Sequence, residues 1–165
     1  MDVLYRRCAG VDVHKKTLSV CVSCIGDDDK VRTETRQFGA MTRDILALGD
    51  WLREAGVTHV AMESTGVYWK PIWNLLEGHF ELVLCNARDV KQVPGRKTDM
   101  KDCQWIAKLM QHGLLKPSFV PSRPMRELRY LTRQRVQLVN EHSTVANRIQ
   151  KVLEDANIKM ASVLS

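Results

Sequence analysis

The tightest constraint on this chain is a change of hydrophobic period part-way along it. Residues 9–14 (AGVDVH) and 17–24 (TLSVCVSC) read as two strands joined by a tight turn at Lys15-Lys16. Leu18, Val20 and Val22 alternate with Ser19, Cys21 and Ser23, the period-2 signature of a strand with two unlike faces. The Asp27-Asp28-Asp29 run reads as a turn, and residues 31–38 (VRTETRQF) alternate again with β-branched residues. Three such stretches in succession predict an antiparallel meander.

From residue 42 the period changes. Thr42 suits the cap of a helix running to about Glu54, with Ile45, Leu48 and Leu52 on one face and Gly56 as its stop. Residues 58–63 (THVAME) predict a short buried strand. A helix over 67–77 follows, with Trp69, Ile72, Trp73 and Leu76 at helical spacing and Pro71 early, where a first turn tolerates it. Residues 80–85 (FELVLC) predict another buried strand, 87–92 a short helix, and 99–112 a helix that turns Ile106, Leu109 and Met110 inward. The order βββ-αβ-αβ-α implies an α/β fold: a mixed sheet covered by helices.

The chain's 165 residues suit one such domain with a helical extension. The expected division is a domain over residues 1–115, a proline-bearing linker over 116–124, and a long basic helix over 125–165. Its periodic part runs from about Met125 to Ala156. There Leu128, Leu131, Arg135, Leu138, His142, Val145, Ile149 and Val152 recur at alternating steps of three and four, a coiled-coil seam with two polar intrusions. Between Arg123 and Lys151 stand seven Lys/Arg and two acids, so this segment carries most of the net charge of +6. A basic excess suits a polyanionic partner without requiring one. No apolar run reaches the roughly 18 residues of a membrane span, and MDVLYRRCAGVDV has no signal-peptide pattern. The scattered cysteines at 8, 21, 24, 85 and 103 read as reduced thiols of a cytoplasmic protein. Cys21 and Cys24 form a CxxC inside a strand, with no second pair to complete a zinc site.

Four acids stand out by placement. Asp12 lies mid-strand, where propensity disfavours it, facing away from Val11 and Val13. Glu63 ends the strand THVAME, and strand ends in α/β sheets are where sites form. Asp99 and Asp102, three apart at the expected start of a helix, would point to one side. Converging carboxylates repel, and a divalent cation resolves the repulsion. An all-oxygen donor set favours Mg²⁺ or Mn²⁺. Two such ions about 4 Å apart clamp the attacking and leaving oxygens of a phosphodiester. Spacing alone leaves plainer readings open: Asp12 as an edge or turn-bonding residue, Asp99 as a helix acid answering the macrodipole, Asp102 as its solvated neighbour.

The segments GVDVHKKT, AMESTGVYWKP and NARDVKQVPGRKTDMKDCQWIAKL, with the following RELRYLTRQRVQLVNEHSTVANRIQKVLE, resemble the IS-one-ten transposase family over nearly the whole chain. These are the DEDD-motif transposases of insertion sequences, RNA-bridge-guided DNA recombinases. The resemblance implies a ribonuclease H-like (RuvC-like) catalytic domain over 1–115, followed by a long coiled-coil-type helix. It implies that Asp12, Glu63, Asp99 and Asp102 are the catalytic, metal-binding tetrad. It implies bacterial origin, and DNA and a guide (bridge) RNA as partners, with a homo-oligomer (dimer or tetramer) formed through the long helix. Family members continue into a second domain bearing a nucleophilic serine. Neither Ser162 nor Ser165 matches that motif, so the chain is expected to be the acid-tetrad portion of a longer protein.

Basic residues surround the acids in sequence. Lys15 and Lys16 follow Asp12, and Arg88, Lys91, Arg96, Lys97 and Lys101 crowd the stretch before Asp102. With Arg126, Arg129 and Arg133 of the long helix they are the candidate nucleic-acid contacts. Trp69 reads as core rather than as a platform for a base; Tyr68 is open to either reading. Two other functions remain on the same residues: a RuvC-like Holliday-junction resolvase, and a non-catalytic nucleic-acid-binding fragment. An actin- or sugar-kinase-like phosphotransferase would need two large lobes and Gly-rich nucleotide loops, which the chain lacks.

Overall fold

The period-2 stretches pair as their alternation requires. In the computed structural model, which describes residues 2–26, 29–94 and 100–159, β1 (Arg7–Val13), β2 (Thr17–Ile25) and β3 (Val31–Gly39) form the antiparallel meander. The His14 amide donates to the Thr17 carbonyl at 3.0 Å, closing a two-residue turn at Lys15-Lys16. β4 (His59–Glu63) adds parallel to β1, and β5 (Glu81–Cys85) parallel to β4, giving the order β3-β2-β1-β4-β5. The helices are α1 (Thr42–Glu54), α2 (Trp69–Leu76), α3 (Ala87–Gln92), α4 (Asp102–Gln111) and α5 (Arg123–Asp155). A meander extended by two parallel crossovers, with helices on both faces, is the ribonuclease H-like (RuvC-like) arrangement.

Strand register sorts the side chains between the faces. Val11 and Val13 pair with Val20 and Leu18, which pair with Arg36 and Phe38 on β3. Those two reach Trp51 of α1, Phe38 with ring centroids 5.5 Å apart and Arg36 with its guanidinium 4.7 Å from the ring. So α1 covers that face, with α2 beside it. The alternate residues Cys8, Gly10 and Asp12 point to the opposite face, which α4 covers.

Gly10 sets how closely α4 lies. A Cβ built there would overlap the Ala107 nitrogen and the Cys103 oxygen and stand 3.0 Å from the Ala107 Cα. Helix backbone therefore rests directly on strand backbone. At one end of the contact the Cys8 thiol reaches the Ala107 carbonyl at 3.6 Å, and Leu4 and Tyr5 donate to the Gln111 carbonyl at 2.9 and 3.1 Å. Thus α4 runs antiparallel to β1, and its first residue, Asp102, lies toward the carboxyl end of β1. Trp105 is buried at the centre of α4, and its indole N–H donates to the Val90 carbonyl of α3 at 3.1 Å. Ile106, Leu109 and Met110 are buried with it.

Several boundaries differ from the sequence expectation. The first helix is capped by Met41, not Thr42, and no side chain bonds its amides there. Its end is a Schellman turn: Gly56, at φ 67°, donates to Arg53 at 2.9 Å, and Val57 donates to Leu52 at 3.0 Å. α2 begins at Trp69 rather than at 67. β5 is only partly buried, because it is an edge strand whose outer side, among the described residues, is met near its end, where Ser118 donates to Leu84 at 2.7 Å. α4 begins at Asp102, not at 99: Lys101 is extended (φ −63°, ψ 150°), so helical spacing cannot relate Asp99 to Asp102. Asp99, Arg96, Lys97, Asp27, Asp28, Ser162 and Ser165 lie outside the described residues.

The chain divides into two compact units, Met1–Phe119 and Val120–Ser165. In the second, α5 begins at Arg123, two residues before the expected start, because Pro124 falls where a first turn needs no amide donor. None of its residues is buried, and Leu128, Leu131, Leu138, Val145, Ile149 and Val152 are all exposed.

Glycine 10 offers a direct test. Gly10→Ala is expected to cost about 3 kcal/mol in urea unfolding, at or above the upper end of ordinary overpacking, because backbone on both sides cannot yield. Gly49→Ala in α1 meets only the end of the buried Leu76 side chain at 3.2 Å, which has to give by a few tenths of an ångström, and is expected to stay within about 1 kcal/mol of wild type, helix propensity offsetting the contact.

Candidate active site

Two of the four acids are neighbours across a parallel strand pair. β1 and β4 are in register through Val11–Met62, so the next step sets Asp12 beside Glu63. Residues in register on adjacent strands share a face. Gly10 and Ala61, one pair of positions earlier, define that face as the one under α4: Ala61 packs among Ile106, Leu109 and Met110. Asp12 and Glu63 therefore both rise on the α4 side, at the carboxyl edge of the sheet. Because α4 runs antiparallel to β1, Asp102 starts its helix above the same edge. The amino-terminal end of a helix carries partial positive charge, which favours carboxylates nearby.

Each carboxylate on the sheet is held by the residue two positions later. His14 Nε2 stands 3.1 Å from Asp12 Oδ2, and the Thr65 hydroxyl donates to Glu63 Oε1 at 3.0 Å. The Asp12 side chain is 16% exposed against 60% for His14, so the acid is recessed and the imidazole is on the surface. Neither partner stands out in the sequence alone. The i, i+2 spacing just past a strand end was the available signal, though it marks ordinary turns equally well. Glu63 is half-buried, and Asp102 is exposed. Among the described residues no three His, Cys, Asp or Glu side chains are gathered closely enough to hold a metal ion by themselves.

The expected basic residues are placed by the same topology. Lys15 and Lys16 form the exposed β1–β2 turn, immediately past Asp12. Arg88 and Lys91 are exposed on α3, which follows the carboxyl end of β5 and is capped by Asn86 Oδ1 accepting from the Arg88 amide at 2.9 Å. Lys101 caps α4, its amide donating to Gln104 Oε1 at 3.1 Å. All five stand at the edge that carries the acids. In the other unit, Arg129 and Arg133 are exposed on α5, whereas Arg126 Nη1 donates to the Pro121 carbonyl at 2.7 Å. Trp69 is half-buried and meets Trp73 edge-on at 5.9 Å, while Tyr68 is exposed.

The contact between α4 and the sheet, behind the site, is rich in buried thiols. Burial pushes the Cys85 thiol up to about 12, with the nearby Glu63 and Asp89 carboxylates adding to the shift. Burial likewise pushes Cys103 up to about 11, with Cys21 and Asp12 contributing, and Cys8 up to about 12. Asp89, in the first turn of α3, is thus a further acid beside the β5 end that sequence reasoning did not single out.

Residues 9–158 match the family model of the IS110 (IS-one-ten) DEDD transposases, described as Transposase. The chain belongs to that transposase family. Membership makes it a DNA transposase, by class a DNA-cleaving enzyme, and the match spans both the acid-bearing unit and the long helix. No curated protein matches it in sequence. Among solved structures it is similar to Thermus thermophilus RuvC, at 13% identity and a TM-score of 0.48 over 68% of this chain and 99% of the other. It is also similar to T. thermophilus RuvC in complex with a Holliday junction substrate, at 14% identity and 0.46 over 69% and 100%. The fowlpox virus Holliday junction resolvase is more distant, at 11% and 0.38 over 48% and 60%. These superpose only in part, and the strand order and crossovers define the fold. No helix among the described residues is long and apolar enough to cross a membrane.

The raised thiols have a measurable consequence. A thiol-specific disulfide reagent at pH 8 is expected to modify the half-buried Cys24 first, and the other four only on unfolding. Cys8 and Cys85 keep their protons to about 12 when folded, against an ordinary 9.0. Their contribution to stability is therefore complete below pH 9 and lost as pH rises toward 12, and melting temperature is expected to fall across that window.

Proposed function

We propose that this chain carries the metal-dependent catalytic centre of an insertion-sequence recombinase, with Asp12, Glu63, Asp99 and Asp102 as the acid tetrad. The observation that carries the reading is the register of β1 and β4, which sets Asp12 beside Glu63 on the face under α4, the helix that Asp102 begins. Two carboxylates at one sheet edge offer hard oxygen donors of the kind a divalent cation takes. The donor set is carboxylate oxygen, with His14 on Asp12 rather than beside it, and fits Mg²⁺ or Mn²⁺ better than a soft metal. Nucleases of this fold generally use divalent ions. When bound there, the ion supplies charge neutralisation at a phosphodiester undergoing attack.

The chain's own groups do the rest in this reading. Asp12 and Glu63 from the sheet edge, with Asp102 from the start of α4 and Asp99, would hold the ion. Lys15, Lys16, Arg88, Lys91 and Lys101, with Arg96 and Lys97, seat backbone phosphates of DNA or of a guide RNA around it. Residues 1–115 act as the RuvC-like catalytic domain and 116–124 as the linker. The helix beyond carries Arg126, Arg129 and Arg133 to nucleic acid. Its exposed apolar seam packs on a second copy, giving the dimer or tetramer that strand exchange between two DNA sites needs. The family resemblance supports RNA guidance.

Melting temperature under Mg²⁺ or Mn²⁺ titration tests the centre. The wild-type chain is expected to be stabilised by about 2.7 kcal/mol at 100 times the dissociation constant, and Asp12→Ala not at all. Equal responses would sink the tetrad. Sedimentation over a range of concentrations tests the seam: self-association is expected, with Leu131→Asp plus Leu138→Asp reducing it, and a monomer at every concentration would refute it.

A further inference from the structure

We propose that His14 and Thr65 are the positioning residues of the acid pair, each fixing one oxygen of the carboxylate two residues before it so that the other oxygen is left for the ion. The inference rests on the metal reading above and deepens it. Asp12 Oδ2 is held by His14 Nε2 at 3.1 Å, and Glu63 Oε1 by the Thr65 hydroxyl at 3.0 Å. Among the described residues no other hydrogen bond reaches either carboxylate. Asp12 Oδ1 and Glu63 Oε2 are therefore the oxygens left over, on two side chains already brought together by strand register.

The arrangement is the same on both strands, although the chain reaches it differently. β1 ends at Val13, and His14 is the first residue of the turn to β2. β4 ends at Glu63 itself, and the Thr65 amide turns back to the Glu63 carbonyl at 2.9 Å, which brings its hydroxyl to the carboxylate. A carboxylate accepts only, so His14 presents Nε2–H to Asp12. A free carboxylate swings about its last torsion, and fixing that torsion before the ion arrives removes an entropy cost from binding. Partners of this kind govern affinity without touching the metal; losing one weakens binding about 10- to 100-fold.

Exposure gives the two residues little structural work. His14 is 60% exposed and Thr65 is also on the surface, so neither fills the core. A purely structural hydrogen bond at such positions alters metal-free stability and leaves the affinity of the folded protein alone. A positioning role does the reverse.

The test is Mn²⁺ affinity by titration calorimetry, with metal-free melting temperature measured alongside. The set is wild type, Asp12→Ala, Thr65→Val, Thr65→Ser, His14→Leu and His14→Gln. Thr65→Val and His14→Leu, which remove the donor, are expected to weaken Mn²⁺ about tenfold or more. Thr65→Ser and His14→Gln, which keep one, are expected to remain close to wild type. Wild-type affinity in Thr65→Val and His14→Leu would overturn the inference, as would equal losses in Thr65→Ser and His14→Gln. If wild type binds, Asp12→Ala does not, and the donor-free variants bind normally, the tetrad stands and the positioning role falls. If wild type itself fails to bind Mn²⁺, the metal reading falls and takes this inference with it.

Discussion

The contact between α4 and β1 at Gly10 is the constraint on which the acid-bearing unit depends. Two backbones meet there with no side chain between them. The approach brings α4 down over the centre of the sheet, where its apolar face buries Ile106, Leu109 and Met110 against Ala61, Cys85 and Val90. It also fixes direction: the helix carboxyl end is tied through Leu4 and Tyr5 to the segment that enters β1, so its amino end lies over the strand's carboxyl end. The placement of Asp102 follows from packing that involves no acid. Small residues at the seam, Cys8, Cys21, Cys103 and Ala107, allow the same closeness along the rest of the contact.

The sheet contributes the other half. A parallel β1–β4 pair puts two carboxyl ends side by side, and a parallel β5 adds a third. Whatever follows those strands in sequence gathers at one edge: the Lys15-Lys16 turn, the Ser64-Thr65-Gly66 turn and α3 with its Arg88 and Lys91. The function of the family is thereby read from topology as much as from residue type. Acids sit at the strand ends and bases in the connections just beyond them, an arrangement suited to a polyanion. The thiols of the helix–sheet contact are buried and hold their protons more tightly than usual, so they do not offer the thiolate that a metal would take.

Much of this was legible in the sequence, and the limits have physical causes. Alternation marked β1, β2 and β3 because each separates two unlike faces. Helical spacing marked Ile45, Leu48 and Leu52, and also Ile106, Leu109 and Met110, because each helix has one buried stripe. The start of α4 was misjudged because Met100 packs on the same core as the helix while Lys101 is still extended, so an apolar residue outside the helix continued its pattern. Gly10 carried no signal of its own: a glycine in a strand reveals a close approach only once the partner helix is known. The acids Asp12 and Glu63 were visible as anomalies of placement, but their pairing needed the register. His14 and Thr65 stood in plain view, and only the hydrogen bonds distinguish them from ordinary turn residues.

The central claim is that a divalent ion is held at the carboxyl edge of the sheet by acids from β1, β4 and the start of α4. Paramagnetic broadening of backbone amide signals by substoichiometric Mn²⁺ locates the ion directly. The account predicts selective loss of signals around Asp12, Glu63 and Asp102, with those of Leu4, Cys24 and Gln111, at the opposite end of the sheet and of α4, left sharp. Uniform broadening, or loss centred on any other acidic region such as Glu34, Asp50 or the α5 acids, would contradict it.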